Sequence, residues 1–469
     1  MWQLYLSSLL SAWGDRMWGF AVGLILINIT PESLVLSASY GLVSCGTAIM
    51  FGSSVGRWID RTARWKALTT SLILQNSSVV TSAVICVVLL EFKTELSDSL
   101  NGFGLILCYI LFIIFASAAN LASIASSIIV GKDWIVVIAG PNTNKLSKLN
   151  STLRSINLVV LAVAPMFTGF IMNFLSLTAA AAIQAGWNIF SCFVEWTIYK
   201  NLFNSHPALA RKGAENCVEP FNESYAKRRS KSQNSVGKFF RDWVSYFRHP
   251  VRYAGIALAC LYMTVLGFDS ITTGYATSQG VPEWILGILA GVGAVTGLLG
   301  STSFPKWKIW LGLDKTGLLG FFSQVVCLSL CVFSVWLPGS PFNIPDSVKQ
   351  ERSYYSVGFL MGGIFLSRFG LWIADLTINQ ILQEEVKELE RGKINGVQQS
   401  FNQLMDMMKF ILVILLPYSD TFGYLIIISF AFICLGMMFY SLYVFRRQSP
   451  PSVDDEENPM TVAASSSNI

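Results

Sequence analysis

Apolar residues in this chain come in long blocks rather than in the three-to-four-residue rhythm of an amphipathic surface helix. The blocks recur from end to end, at about 2–28, 34–57, 67–92, 102–130, 146–175, 177–200, 251–278, 283–310, 315–338, 354–383, 393–417 and 421–445. A helix needs about 20 apolar residues to cross a bilayer core, so the pattern predicts twelve transmembrane helices in an all-α protein. Short polar connections separate them, with one exception. Residues 202–250 include "RKGAENCVEPFNESYAKRRSKSQNSVGK", which is charged, rich in Ser and Asn and poor in apolar side chains. Such a segment buries too little apolar surface to fold alone. The expected organisation is a six-helix lobe over 1–201, a disordered linker over 202–250, a second six-helix lobe over 251–447 and a solvated tail over 448–469.

Composition agrees: 53% of residues are hydrophobic and 13% charged, whereas soluble domains carry about a quarter charged. Asp15-Arg16 interrupts the first apolar block, which argues against a cleaved signal peptide. Basic residues give the orientation. Connections after even-numbered spans carry Arg57, Arg61, Arg64 and Lys66, then Lys132, Lys145 and Lys148, and later Lys387, Arg391 and Lys393; connections after odd spans are nearly bare. Basic loops stay on the cytoplasmic side, so both termini of this multi-pass protein are expected there. The net charge of +5 follows the loops and points to no nucleic-acid partner. All nine cysteines but Cys217 fall in apolar spans and read as small buried hydrophobes. His206 and His249 are the only histidines, both in the linker. A metal site inside the membrane must therefore use oxygen, amide or sulfur ligands. No nucleophile–base pair, phosphate loop or cofactor motif appears, so no enzyme is expected.

Ionisable groups at bilayer depth are costly and usually mark a pathway or a partner. Asp15 lies in the first span, Gln75 in the third, and Asn188 and Glu195 in the sixth, seven residues apart and so on one helix face. Together they would make an all-oxygen group suited to a hard cation such as Ca²⁺; separate structural hydrogen bonds are the alternative, and the spacing leaves both open. The seventh span holds "TVLGFDSITTGYA", with Gly267 and Gly274 flanking Asp269. It reads as a broken helix whose freed backbone groups are met by hydroxyls, which is tolerated at this depth only beside a cavity or inside protein. Gly14-Asp15 interrupts the first span in the corresponding place, and paired interruptions in two halves point to a central site. Asp406 and Lys409 lie within one turn of each other in the eleventh span.

The loop "GRWIDRTARWK" resembles the G-x-x-x-D-R-x-x-R gate of the major facilitator superfamily. Beyond it, "SAWGDRMWGFAV", "DRTARWKALTTSLILQN", "DWIVVIAG", "LYMTVLGFDSITTGYA", "GLWIADLT" and "ERGKINGVQQSFNQLMDMMKF" resemble the ferroportin family of iron exporters, in essentially every span. The resemblance implies a major facilitator fold, alternating access, a transported divalent metal, and a metal site in each lobe, with Asp269 and Asp406 in the second. It implies a calcium group of Asp15, Gln75, Asn188 and Glu195, and a cytoplasmic gate of Asp60, Arg64, Asp133, Asn150, Arg154, Glu388 and Arg391. It also exposes departures. Gly19 and Lys409 stand where the iron exporter has histidine, Asn157 where it has aspartate, and Ser270 where it has cysteine. The ligands that favour Fe²⁺ over Ca²⁺ are thus replaced, and the Lys409 ammonium beside Asp406 is expected to substitute for a bound cation. Binding of the peptide hormone hepcidin, which in the family uses that cysteine and metal in the second lobe, is expected to be weak or absent. The expected function is a monomeric, plasma-membrane metal exporter handling a small cation among membrane lipid. Export of another divalent cation or small cationic solute, or a non-transporting calcium-binding regulator, are the alternatives. An intact gate beside a broken helix favours transport.

Overall fold

Long apolar segments with little Pro or Asp in their interiors wind into helices, and the computed structural model is all-helical. It describes residues 1–29, 35–93, 95, 103–213, 235–267, 272, 275–276, 279, 281, 283–338, 340, 355–416 and 421–448. The first half holds α1 (Trp2–Ile29), α2 (Val35–Arg61), α3 (Arg64–Glu91), α4 (Phe103–Ile128), α5 (Thr143–Phe174) and α6 (Leu177–Ser205). A π-helical stretch, Ile129–Trp134, continues α4 into Ile135–Ala139. After α7 (Ser235–Arg248) come α8 (Arg252–Tyr262), α9 (Glu283–Leu311), α10 (Leu313–Ser334), α11 (Tyr355–Glu385), α12 (Arg391–Leu415) and α13 (Phe422–Gln448). Among the described residues, eight helices are long and apolar enough to cross a membrane.

The two halves repeat one packing scheme. In the first, α3 packs on α4 and α6, α2 on α4, and α1 on α5 and α6. In the second, α10 packs on α11 and α13, α9 on α11, and α8 on α12 and α13. These five pairings of α1–α6 recur between the equivalent members of α8–α13, as expected of a transporter built from internal repeats. The lobes meet along two equivalent seams, α2 against α12 and α5 against α9. Glycine sets the first seam. A Cβ on Gly56 would lie 2.1 Å from the Gly392 carbonyl oxygen, and one on Gly396 would lie 2.4 Å from that of Gly52. Large apolar side chains such as Phe174, Phe193, Trp310 and Phe445 are exposed on the outside, where lipid replaces water as solvent.

Two sequence expectations change. The span 251–278 is interrupted: α8 ends at Tyr262, Thr264 to Gly267 leave the helix, and Thr272, Tyr275 and Ala276 are again helical. The disordered linker is corrected at both ends: Pro207–Gly213 forms a 3₁₀ turn and α7 a four-turn helix. Tyr246 of α7 is completely buried. Phe239, Trp243 and Tyr246 of "KFFRDWVSYF" share one side only when wound at 3.6 residues per turn, so average composition hid them.

Candidate functional site

The loops rich in Lys and Arg all lie at one end of the bundle, the basic end, and there the lobes are pinned together. Arg64 opens α3, and its Nε donates to Asp133 Oδ2 at 2.7 Å and its Nη2 to Oδ1 at 3.1 Å. It also pairs with Glu388 of the second lobe. Arg391, at the start of α12, reaches the same Asp133 at 3.3 Å. The π-helical stretch of "IVGKDW" carries Asp133, which sits buried between the two guanidiniums; π-bulges are common at such positions. Asp60, at the end of α2, accepts from the backbone N–H groups of Gly392 and Lys393, both at 2.7 Å. Those are free donors at the α12 N-terminus, where a carboxylate is favoured.

Deeper in, Asn150 donates to Gln383 Oε1 at 2.6 Å and accepts from its Nε2 at 3.2 Å. Arg154 pairs with Asp375, its guanidinium 4.7 Å above the Trp372 ring. Every residue assigned to the gate therefore makes a contact that crosses from lobe to lobe. Sequence reasoning missed Gln383 and the Lys132–Asn379 bond beside it, whose partners lie more than 200 residues away in the chain and carry no local signal. Asp375 does carry one, as a charge inside an apolar span.

Inside the first lobe, Asp15 is held by two other helices. Gln75 Nε2 donates to Oδ1 and Ser123 Oγ to Oδ2, each at 2.8 Å. The Gln75 Oε1 atom is buried and accepts no hydrogen bond. Asp15, Gly19, Gln75, Ser123 and Asn157 line a cavity of about 290 Å³. A second, of about 200 Å³, joins Asp15, Ser123, Asn157 and Glu195. Glu195 accepts from Ser191 at 2.5 Å. Asn188 stands apart: it lines neither cavity, and its amide donates to Gln184 O on its own helix. Two carboxylates, an unengaged amide oxygen and hydroxyls are all hard oxygen donors. Among the described residues no group of three His, Cys, Asp or Glu side chains is placed to hold a metal. Ser123 was missed, although the polar stripe Asn120, Ser123, Ser127 on α4 marks one helix face. It also lines an interlobe cavity of about 270 Å³ with Lys132, Arg154, Asn379 and Asn402.

In the second lobe, Lys409 Nζ lies 2.7 Å from Asp406 Oδ1. One turn earlier on α12, Gln403 takes a weak bond from the Cys45 thiol of α2 at 3.9 Å, a sulfur that only tertiary structure brings near. Asp269, Ser270 and Gly274 lie outside the described residues. Gly267 follows the helix break, where hydroxyls meet the freed backbone: Val265 N–H donates to Ser429 Oγ at 3.0 Å, and Thr272 Oγ1 donates to Val265 O at 2.6 Å.

Residues 1–433 match the family model described as Ferroportin1 (FPN1). The chain belongs to the ferroportin family. It is 38% identical over 511 residues to Ferroportin of Homo sapiens, covering 93% of this chain and 90% of that protein. A crystal structure of a bacterial homologue of iron transporter ferroportin in the outward-facing state superposes with a TM-score of 0.79 at 24% identity, covering 95% and 99% of the two chains. The major facilitator superfamily proton:xylose symporter XylE gives 0.59 at 14% identity, covering 94% and 95%. The fold of this ferroportin-family chain is thus that of the major facilitators, and the chain is a membrane transporter, not an enzyme.

Proposed function

We propose that this protein exports metal cations by alternating access, with the Asp15 cavity and the Asp406 region on the cargo path. The observation that carries the reading is the interlobe network on Asp133. It pins the basic end shut in this conformation, whereas export requires that end to open and load. Positive loops favour the cytoplasm for that end and for both termini, and the plasma membrane is the surface from which an exporter discharges to the outside. Iron is the first cargo to test, because relatives that match over nine-tenths of this chain are ferroportins. Asp15, Gln75, Asn188 and Glu195 would hold Ca²⁺ in the first lobe, with Glu195 already lining a cavity beside Asp15 and Asn188 turning from its bond to Gln184.

Export of another divalent cation is the second reading, favoured by the Lys409–Asp406 pair and by the bare Gly19. Efflux of labelled Fe²⁺, Co²⁺ and Mn²⁺ from cells expressing the protein tests both. Iron efflux lost on Asp15→Ala or Arg64→Ala supports the first. Efflux of Co²⁺ or Mn²⁺ without iron supports the second, and no efflux of any metal rejects both. Hepcidin finds a tethered ammonium where its mode of binding calls for metal, so the protein should ignore it.

A further inference from the structure

Helix α7 presents three different sides. Asp242, Trp243 and Tyr246 face the bundle: Asp242 pairs with Arg57, the Trp243 ring lies 6.0 Å from that of Phe401, and Tyr246 bonds Gln398. Phe240, Val244 and Phe247, spaced i, i+4, i+7, form a second side and are 63%, 49% and 39% exposed. Arg241, Ser245 and Arg248 form a third, next to the apolar one. With Val244, His249 and Pro250 they line an open hollow of about 380 Å³.

Nearby acids do not cancel the charge of this hollow. Asp242 is turned inward onto Arg57, and Glu390 is paired with Lys393 at 2.8 Å. Burial holds the His249 imidazole below its ordinary range, so the ring is neutral at neutral pH and the charge comes from the arginines. Ser245 accepts from Lys393 Nζ at 3.2 Å, which leaves its hydroxyl proton free to donate.

We propose that α7 lies in the bilayer–water boundary at the basic end, and that the Arg241–Ser245–Arg248 hollow binds the phosphate of an anionic lipid headgroup. The level of the helix supports this: Asp242 meets Arg57, four residues before the end of α2, and α8 enters the bundle four residues after Arg248. At that height the exposed Phe240–Val244–Phe247 stripe meets acyl chains rather than water, and the adjacent arginines stand at headgroup depth. An apolar stripe bordered by a basic one is the pattern of an interfacial helix. A free phosphate ion would make no use of the phenylalanines, which favours lipid as the source.

The test is native mass spectrometry of the full-length protein in detergent, titrated with short-chain phosphatidic acid, phosphatidylcholine or inorganic phosphate. The natural protein should retain phosphatidic acid in preference to phosphatidylcholine. Each arginine beside an anionic surface is worth roughly fivefold, so Arg241→Gln/Arg248→Gln should weaken retention about thirtyfold, at an unchanged melting temperature because both side chains are exposed. Lys306→Gln, an exposed basic residue that does not line the hollow, should weaken retention far less than the double variant. Phe240→Ser/Phe247→Ser should also weaken retention. The proposal is overturned if the double arginine variant retains phosphatidic acid as the natural protein does, or loses no more than Lys306→Gln. It is equally overturned if inorganic phosphate displaces the lipid at equal concentration, which would make the hollow a simple ion site.

Discussion

Lys409 carries a cation into the second lobe on its own side chain, 2.7 Å from Asp406. A tethered ammonium needs no dehydration at each cycle and repels a divalent ion that approaches the same carboxylate. Gly19 is the mirror case: it lines the Asp15 cavity, and a Cβ there meets nothing within 4 Å. Gly19→His, Ser270→Cys and Lys409→His combined should raise iron efflux several-fold over the natural protein; an unchanged rate would mean that these positions do not set cargo choice. Ser270→Cys/Lys409→His should also gain surface binding of labelled hepcidin, and tight metal-dependent binding to the natural protein would refute the altered-site reading. For the first lobe, Asp15→Ala should abolish Ca²⁺ binding in calorimetry, since Gln75 and Ser123 both point at that carboxylate. The sequence displayed the charged members of these sites because charge inside an apolar block is conspicuous. It concealed Ser123 and Gln383, whose types are ordinary in helices and whose partners lie on other elements.

Among the elements, α8 gives the clearest link from residue type to shape. Its early end at Tyr262 leaves Val265 N–H without a helical acceptor, and Ser429 of α13 supplies one in a fully buried setting. Ser429→Ala should cost about 1–3 kcal/mol, the usual cost of a buried unpaired donor, and thermal unfolding in detergent should register it as a lower midpoint. Ser429→Thr, which keeps the hydroxyl, should retain most of the stability. The break itself was legible, since two glycines, an aspartate and several hydroxyls have no use in a straight lipid-facing helix. Its start was placed a few residues late, because Thr264 and Val265 are compatible with helix on their own. Helix α7 was missed for the opposite reason: its basic flanks resemble the surrounding linker, and only the position of Trp243 and Tyr246 against the lobes reveals a folded segment.

For the molecule as a whole, the proposed function makes the interlobe network at the basic end the gate that decides which end is open. Arg64 and Asp133 are almost completely buried, so removing Arg64 leaves the Asp133 carboxylate with Arg391 alone, 3.3 Å away, and costs some part of the roughly 3–5 kcal/mol of a broken buried pair. Arg64→Ala should therefore shift the population toward an open basic end, seen as longer spin-label distances between the loops after α2 and before α12; unchanged distances would show that the network is not what closes it. The seam of Gly52 and Gly56 against Gly392 and Gly396 adds a thermal consequence. Bringing two glycine surfaces together freezes no rotamers, whereas a seam of leucines or methionines would lose roughly 0.5–2 kcal/mol of side-chain freedom per residue at each closure. The entropy of closing is accordingly small on this side of the molecule. Followed over temperature, the open-to-closed ratio should track the enthalpy of closing, with little entropic offset from this seam.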